Sequence, residues 1–345
     1  MNEAFDAAGL AQRIAAGEPR ALARGISYVE DETPGFEAVL DALDSRIGRA
    51  RRIGITGPPG AGKSTLTALL TRRYLDRSLT VGVIAVDPTS PFTGGALLGD
   101  RIRMNELATE PDVFIRSMAS RGSLGGLATA TREAADLMDA AGFDRVILET
   151  LGVGQSELDI AASADSTAVV LVPESGDGIQ AMKAGLMEVA DLFVVNKADR
   201  PGADRLEKEI RVMMAIREGN AIRDIASHHG ARVDRPPEES EDGRASGRWT
   251  LPVIQTTASA GEGIDEVVEA LDAHFAWLES TDRLEAGRAE RRLRRAHDAL
   301  VRRAQRDAER IWREAGPAAL GGESPYALAR RLYRDDRARS PSASS

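Results

Sequence analysis

The stretch GPPGAGKS, residues 57–64, constrains the fold of this 345-residue chain more than any other feature. It follows the apolar run IGIT and precedes TLTALLTRRYL, whose apolar spacing is typical of a helix. A glycine-rich turn between a strand and a helix lets successive backbone amides wrap phosphate groups, and the helix N-terminus adds partial positive charge. The spacing predicts a phosphate loop made of Gly57, Pro58, Pro59, Gly60, Ala61, Gly62, Lys63, Ser64 and Thr65.

Two side chains of this loop have predicted roles. Lys63 is expected to reach the β- and γ-phosphates of a nucleotide, and Ser64 is expected to offer its hydroxyl to Mg²⁺. Only four of the 45 basic residues are lysines, and two of these four, Lys63 and Lys197, fall inside nucleotide motifs. A chain that otherwise uses arginine has kept lysine where a compact ammonium is required.

Seven short β-branched runs alternate with helical or loop-length segments. Runs that are apolar throughout indicate a parallel sheet covered by helices on both faces. The sequence therefore predicts an α/β fold, a P-loop NTPase with a mostly parallel sheet flanked by helices and with N-terminal and C-terminal helical extensions. The runs are RRIGITG, TVGVIAVD, DVFIRSM, DRVILET, STAVVLVP, DLFVVNK and LPVIQTT.

The predicted organisation has four parts. Residues 1–48 form an N-terminal helical extension, and residues 49–275 form the nucleotide-binding domain. Residues 276–337 form a C-terminal helical arm, expected to mediate dimerisation, because apolar residues recur along one side of RAERRLRRAHDALVRRAQRDAERIW. Residues 338–345 are predicted to be a disordered tail.

Composition excludes some kinds of chemistry. The chain has no cysteine, which excludes disulfides, thiolate metal sites and cysteine nucleophiles. Its acidic start lacks the layout of a signal peptide, and no apolar run approaches the roughly 20 residues that span a bilayer. We expect a soluble cytoplasmic protein.

The motif NKAD, residues 196–199, follows the apolar run DLFVV and predicts the base that is bound. The Asp199 carboxylate can accept hydrogen bonds from N1–H and the exocyclic amine of guanine, whereas adenine would present a lone pair to it. Asn196 is expected to support the loop, and Lys197 to lie along the base. In the later turn TTASAG, Thr257 and Ala258 are further candidates, with the Ala258 amide facing guanine O6. These residues predict GTP rather than ATP.

Carboxylates near the predicted strand ends are candidate magnesium ligands, because Mg²⁺ prefers oxygen and keeps several waters. The predicted metal residues are Ser64, Asp87, Asp100 and Glu149. The segment from Asp87 to Asp100 has the Pro/Gly/Thr composition of a loop that orders around a γ-phosphate.

The stretch ILETLGVGQSE, residues 147–157, has the layout of a switch segment. Gly152 is expected to sense the γ-phosphate through its amide, and the predicted catalytic set is Lys63, Asp100, Glu149 and Gly152. Val153 stands directly after this glycine, where switch GTPases carry a glutamine that positions the attacking water. The sequence therefore predicts slow unaided hydrolysis, in the range of ~10⁻⁴ to 10⁻² s⁻¹, that a partner accelerates.

Together, GPPGAGKS, DPTSPFTGGALLGDRIRM, ETLGVGQSE and NKAD resemble the MeaB/ArgK family of P-loop GTPases, from about Arg20 to Phe275. The resemblance implies a homodimeric GTPase that binds GTP or GDP with Mg²⁺. It also implies a chaperone that gates cofactor loading of an adenosylcobalamin-dependent acyl-CoA mutase of the methylmalonyl-CoA type, and that protects or reactivates this mutase. By the same resemblance, Lys63, Ser64, Asp87, Asp100 and Glu149 are the phosphate and magnesium residues.

The resemblance further implies a partner switch around residues 177–183, formed by Asp177, Gln180 and Lys183. This chain reads PESGDGIQAMKAG where the family usually reads PGAGDELQ. The changes at Glu174-Ser175 and Gly178-Ile179 leave the action of this switch open and suggest a non-standard mutase partner.

Three other functions compete with this interpretation. A nickel metallochaperone GTPase would have a related fold but needs Cys/His clusters, and this chain offers no cysteine and four histidines. A small-molecule kinase would use the same loop to transfer the γ-phosphate to a substrate. Nucleic-acid binding by the arginine-rich C-terminal helix is disfavoured because acidic residues are interspersed and aromatic residues are few.

Overall fold

The computed structural model describes residues 6–87, 107–119, 124–150, 162–174, 186–217, 248–316 and 323–339. Five predicted site residues lie outside these ranges: Asp100, Gly152, Asp177, Gln180 and Lys183.

A seven-stranded parallel sheet organises the fold, as the sequence predicts. Each of the seven predicted runs forms one strand, and the order across the sheet is β3-β2-β4-β1-β5-β6-β7. All pairings between neighbours are parallel. The strands are β1 (Arg51–Thr56), β2 (Val81–Asp87), β3 (Val113–Ala119), β4 (Arg145–Thr150), β5 (Ser166–Leu171), β6 (Leu192–Asn196) and β7 (Val253–Thr256).

Helices cover both faces of the sheet. The described helices of at least eight residues are α1 (Ala7–Ala15), α2 (Pro19–Glu30), α3 (Phe36–Leu43), α4 (Lys63–Leu75), α5 (Leu124–Ala141), α6 (Ala203–Arg217), α7 (Ile264–Ser280), α8 (Arg283–Ala315) and α9 (Pro325–Arg339). Apolar residues of α4 and α7 pack with one face of β1 and β4, and those of α1–α3 and α5 pack with the other face of β4. The strands are apolar throughout because both of their faces are buried.

The N-terminal helices share the core with α5 and are held there by buried charges. Arg52, at the start of β1, donates to Asp136 (2.7 Å) and to Asp139 (3.0 Å) on α5. The Asp139 carboxylate also accepts from the backbone amides of residues 48–50, at 2.8 to 3.0 Å. This carboxylate thus fixes the chain between the N-terminal helices and β1.

The chain divides into two compact units, Met1–Arg288 and Ala289–Ser345. In the second unit, Arg310 on α8 pairs with Asp336 on α9 at 3.0 Å. Large apolar side chains of this unit are exposed, among them Leu293, Leu300, Trp312, Tyr326 and Tyr333. Among the described residues, no helix combines the length and apolarity needed to cross a membrane.

A histidine and a carboxylate meet at the foot of the sheet, where β5 and β6 begin. His274 Nδ1 lies 2.9 Å from Ser166 Oγ, and its Nε2 lies 3.5 Å from Asp191 Oδ1. Burial raises the pKa of the Asp191 carboxyl to about 7, opposed by the Thr167 amide that donates to it. Burial also lowers the pKa of His274 to about 4. The fold therefore favours the neutral form of both groups.

We expect Asp191→Asn to stabilise the protein at pH 8.5 relative to the wild type, and to keep only about half of this advantage at pH 5.5. A carboxyl whose folded pKa is raised contributes stability below its unfolded pKa of about 4, and this contribution is lost as pH rises through 7. Asparagine keeps an acceptor for the Thr167 amide and never ionises. Because 31% of the Asp191 side chain is exposed, we expect a gain of only about 2 °C in melting temperature. A difference that is the same at both pH values would contradict this assignment.

Candidate functional site

The phosphate loop joins β1 to α4, which begins at Lys63. Gly57, Gly60 and Gly62 have φ angles of 136°, 75° and 89°, conformations that favour glycine. A Cβ atom on Gly57 would lie 2.0 Å from the carbonyl oxygen of Val170 on β5. The loop therefore needs glycine both for its backbone angles and for its close packing against β5.

The Lys63 side chain folds back over the loop that precedes it. Its Nζ donates to the carbonyl oxygens of Gly57 (2.8 Å) and Pro58 (2.9 Å), and the residue is 5% exposed. These two carbonyls hold the ammonium beside the backbone amides of the loop. Phosphate oxygens are charged and would be stronger acceptors for the ammonium than the carbonyls are. This position suits the predicted contact with the β- and γ-phosphates.

Ser64 and Glu149 meet beside the phosphate loop. Ser64 Oγ donates to Glu149 Oε1 at 2.5 Å, although the two residues are 85 positions apart. Glu149 is the second-last residue of β4, and its parallel pairing with Ile55 of β1 places it next to the strand that leads into the loop. Both residues are buried. A hydroxyl and a carboxylate in contact form the kind of oxygen donor set that Mg²⁺ prefers.

Ser64 and Glu149 alone would not complete the oxygen ligands of Mg²⁺, so other residues or a nucleotide would supply the rest. Asp87 is the last residue of β2, one position beyond the pairing of Val86 with Thr150, so its backbone reaches the same edge of the sheet. In the described parts of the chain, no group of three or more His, Asp or Glu side chains is arranged to hold a metal ion. Ser64 and Glu149 therefore fit Mg²⁺ that is bound together with nucleotide phosphates.

Asn196 connects the predicted base loops to the phosphate loop. Its Nδ2 donates to the carbonyl oxygen of Ala61 at 2.8 Å, while its Oδ1 accepts from Thr256 Oγ1 and from the Ala258 amide, both at 3.1 Å. A Cβ atom on Gly62 would lie 2.3 Å from this Nδ2. Asn196 is 2% exposed. It thus holds three loops together, which is the supporting role that the sequence predicts.

Lys197 and Asp199 form the open part of the base loop. Lys197 has a φ of 57°, and its Nζ donates to the carbonyl oxygen of Gly60 at 2.8 Å. Its stem therefore runs from the base loop to the phosphate loop. The Asp199 side chain is exposed. An exposed carboxylate at this position is accessible to the N1–H and amine of a guanine.

Ala258 starts a single 3₁₀ turn, Ala258–Ala260, after β7. Its amide donates to Asn196, so it helps to position that side chain, and its role opposite guanine O6 stays a prediction. Thr257 is 9% exposed and its amide donates to the Glu262 carbonyl oxygen at 3.1 Å. This bond closes the turn on which the predicted base contact depends.

Sequence reasoning missed a contact between the base loop and the end of β5. Arg200, directly after Asp199, pairs with Glu174 at 2.5 Å. The hydrogen bond from Arg200 lowers the pKa of Glu174. Glu174 departs from the usual family sequence, and that departure was the one signal of the contact; its partner lies 26 residues away. Both side chains are about half exposed, so solvent screens the pair and it contributes little to stability.

One edge of the parallel sheet carries all of these features. They are the glycine loop before a helix, the lysine that folds over this loop, the serine–carboxylate pair, and the base loop that an asparagine holds in place. Together they define a P-loop nucleotide hydrolase with a loop suited to guanine.

Comparison with known proteins gives the family. Residues 22–310 match the family described as Methylmalonyl Co-A mutase-associated GTPase MeaB. A relative from Pyrococcus abyssi, whose name places it among GTPases, is 45% identical over 282 residues, which cover 82% of this chain and 80% of the relative. The chain belongs to the MeaB family and, like the proteins it resembles, is a GTPase.

Two further matches extend this result. A protein of Geobacillus kaustophilus named Fused isobutyryl-CoA mutase is 39% identical over 210 residues, which cover 58% of this chain and 19% of that protein. The crystal structure of a protein named LAO/AO transport system kinase matches with a TM-score of 0.62 and 29% identity, covering 98% of this chain and 99% of that one.

Proposed function

We propose that this protein uses a GTP cycle to chaperone an adenosylcobalamin-dependent acyl-CoA mutase of the methylmalonyl-CoA type. It gates adenosylcobalamin loading and protects or reactivates the mutase. One observation carries this proposal: a segment similar to 58% of this chain is part of a protein named as an isobutyryl-CoA mutase. The description of the family names the same class of partner.

The chemistry at the phosphates follows from three residues of the site. Lys63 places a positive charge beside the β- and γ-phosphates and stabilises the charge that develops on them during hydrolysis. Ser64 and Glu149 would hold Mg²⁺, joined by Asp87 and Asp100. Bound Mg²⁺ would neutralise phosphate charge and orient the β- and γ-oxygens.

Base selection follows from the second group of loops. Asp199 accepts from the guanine, Lys197 lies along the base, and Asn196 keeps both in place relative to the phosphate loop through Ala61. Thr257 and Ala258 close the other side of the pocket.

Unaided hydrolysis is slow in this proposal, because Val153 stands where a water-positioning glutamine is expected. Gly152 senses the γ-phosphate, and the mutase completes the site by contacting the segment of Asp177, Gln180 and Lys183. The proposal places the protein in the cytoplasm as a homodimer. Support for self-association comes from the exposed apolar side chains of the second unit, such as Leu293 and Leu300, which are seven residues apart on α8.

The chaperone role is tested by following mutase activity over many turnovers, with GTP and with or without this protein. We expect the wild type to slow the loss of mutase activity by about tenfold, and Lys63→Ala to give little protection because its GTP cycle is about 10²- to 10³-fold slower. Lys208→Ala, an exposed lysine on α6, should protect as well as the wild type. Equal decay with and without the protein, for every adenosylcobalamin-dependent acyl-CoA mutase of the same organism, would exclude the chaperone role.

A second candidate is a small-molecule kinase, because the protein in the matching crystal structure is named a kinase. The two functions differ in where the γ-phosphate goes. Release of one inorganic phosphate per GTP, with no phosphorylated small molecule in the products, is expected for the chaperone. A phosphorylated product formed in proportion to GTP consumed would establish the kinase instead.

A further inference from the structure

Two buried threonine hydroxyls meet directly beneath the phosphate loop. Thr150 Oγ1 donates to Thr56 Oγ1 at 3.2 Å, and the two residues are 1% and 0% exposed. Thr56 is the last residue of β1, immediately before the phosphate loop. Thr150 is the last residue of β4, immediately after Glu149. The pair therefore joins the two strand ends from which the phosphate loop and the candidate magnesium carboxylate extend.

The Thr56–Thr150 hydrogen bond and the Ser64–Glu149 contact hold the end of β4 from opposite faces of the sheet. Successive side chains of a strand point to opposite faces, so Thr150 faces away from the side on which Glu149 meets Ser64. The end of β4 is thus held on one face by the Ser64–Glu149 contact (2.5 Å) and on the other by the Thr56–Thr150 contact. Threonine is β-branched and has few χ1 rotamers, so a hydrogen bond between two threonine side chains holds their backbones at a nearly fixed distance.

Backbone pairing holds the end of β4 to β2 through Val86 and Thr150 but stops one residue earlier on the β1 side. Ile55 with Glu149 is the last of the paired positions between β1 and β4, and Thr150 lies just beyond it on the β1 side. The hydroxyl contact extends the link between the two strands by one residue, at the point where β1 turns into the phosphate loop. A buried hydroxyl without a partner is destabilising, so each threonine stabilises the arrangement that satisfies the other.

We propose that Thr56 and Thr150 are positioning residues for GTP hydrolysis. Their hydrogen bond sets the distance between the phosphate loop and Glu149, and through it the geometry of the magnesium site. This inference rests on the proposed role of Glu149 with Ser64. Neither threonine contacts the nucleotide in this proposal, so their effect is on the alignment of the reacting groups rather than on nucleotide binding.

The test compares Thr150→Val, Thr150→Ser and Thr56→Val with the wild type in GTP turnover at a series of Mg²⁺ concentrations. Valine keeps the shape of threonine and removes the hydroxyl, whereas serine keeps the hydroxyl. We expect Thr150→Val to lower kcat by about tenfold or more, since misplacement by about 1 Å can cost up to ~10²-fold. The Mg²⁺ concentration for half-maximal rate should rise, while KM for GTP stays within about twofold.

Two results separate positioning from a merely structural role. Thr150→Ser should recover most of the lost kcat, and the double variant Thr56→Val/Thr150→Val should be no slower than the slower single variant, because both remove the same bond. Thr71→Val is the matched control: Thr71 Oγ1 is also buried, but it donates within α4 to the Thr67 carbonyl oxygen at 2.8 Å. Thr71→Val should lower the melting temperature without changing kcat or the Mg²⁺ dependence.

The outcomes that overturn the inference are distinct from those that overturn the proposed function. Thr150→Val with wild-type kcat and Mg²⁺ dependence, or Thr150→Ser as impaired as Thr150→Val, would overturn the positioning role while leaving the GTPase intact. If Thr150→Val does not fold, Thr56→Val and Thr150→Ser carry the same comparison. A wild type that shows no Mg²⁺-dependent GTP hydrolysis would overturn both proposals.

Discussion

Replacing Lys63 by alanine is expected to lower kcat for GTP by about 10²- to 10³-fold, the loss seen when one preorganised donor is removed from a developing negative charge. Lys63 Nζ is held at 2.8 Å and 2.9 Å from two loop carbonyls, so the charge is in place before the nucleotide arrives. The glycine angles and the Asn196 contact of the loop do not depend on it. The expected change is therefore in turnover rather than in folding.

Steady-state phosphate release, with a thermal melt of each variant, measures this effect. The chain has only four lysines, and the exposed Lys208 on α6 provides the matched control. Lys208→Ala should turn over GTP like the wild type. A folded Lys63→Ala protein with wild-type kcat would show that the loop binds phosphate without the lysine taking part in hydrolysis.

Replacing Asp199 by asparagine is expected to exchange the preferred base from guanine to xanthine. Guanine offers two donors, N1–H and the exocyclic amine, which match the two acceptors of a carboxylate. Xanthine carries a carbonyl oxygen in place of the amine, and an asparagine side chain matches it with one acceptor and one donor. Because mismatched polar groups at such a site are left unpaired, the ratio of kcat/KM for GTP and XTP should shift by roughly 10⁴-fold.

Competition between GTP and XTP for Asp199→Asn measures that shift. Asp204→Asn serves as the control, because Asp204 is exposed on α6 and contacts Gln255 rather than the base loop. It should keep the wild-type preference for GTP. An Asp199→Asn variant that still prefers GTP would place base recognition elsewhere.

The architecture was largely predictable from the sequence, for a physical reason. Strands of a parallel sheet are buried on both faces, so each of the seven appears as a continuous β-branched run, and the glycine loop identifies the first of them. The N-terminal helices were also recognised from their apolar spacing. Their packing against α5 was not, because spacing shows that a helix has an apolar face and not what that face contacts.

The sequence locates the motifs of the candidate site but not the contacts between them. Lys63, Ser64 and Asn196 belong to motifs that are read locally, and the structure brings them to one edge of the sheet. The bond from Asn196 to Ala61 spans 135 residues and that from Thr150 to Thr56 spans 94. Such contacts depend on strand order and register, which local patterns do not specify.

The sequence also did not predict which charged side chains are buried. Asp139 and Asp191 look like ordinary acids in helical or turn segments. Only the fold shows that Asp139 accepts four hydrogen bonds at the start of β1 and that Asp191 lies 3.5 Å from His274. Their behaviour follows from what surrounds them rather than from neighbours in the chain.

The most direct test of the account is GTP turnover by the purified protein, alone and with each adenosylcobalamin-dependent acyl-CoA mutase of its organism, with ATP as the control nucleotide. We predict slow hydrolysis of GTP that rises by about tenfold or more with one mutase, and negligible use of ATP. Equal hydrolysis of ATP would contradict the guanine site, and a GTP rate that no mutase changes would contradict the partnership.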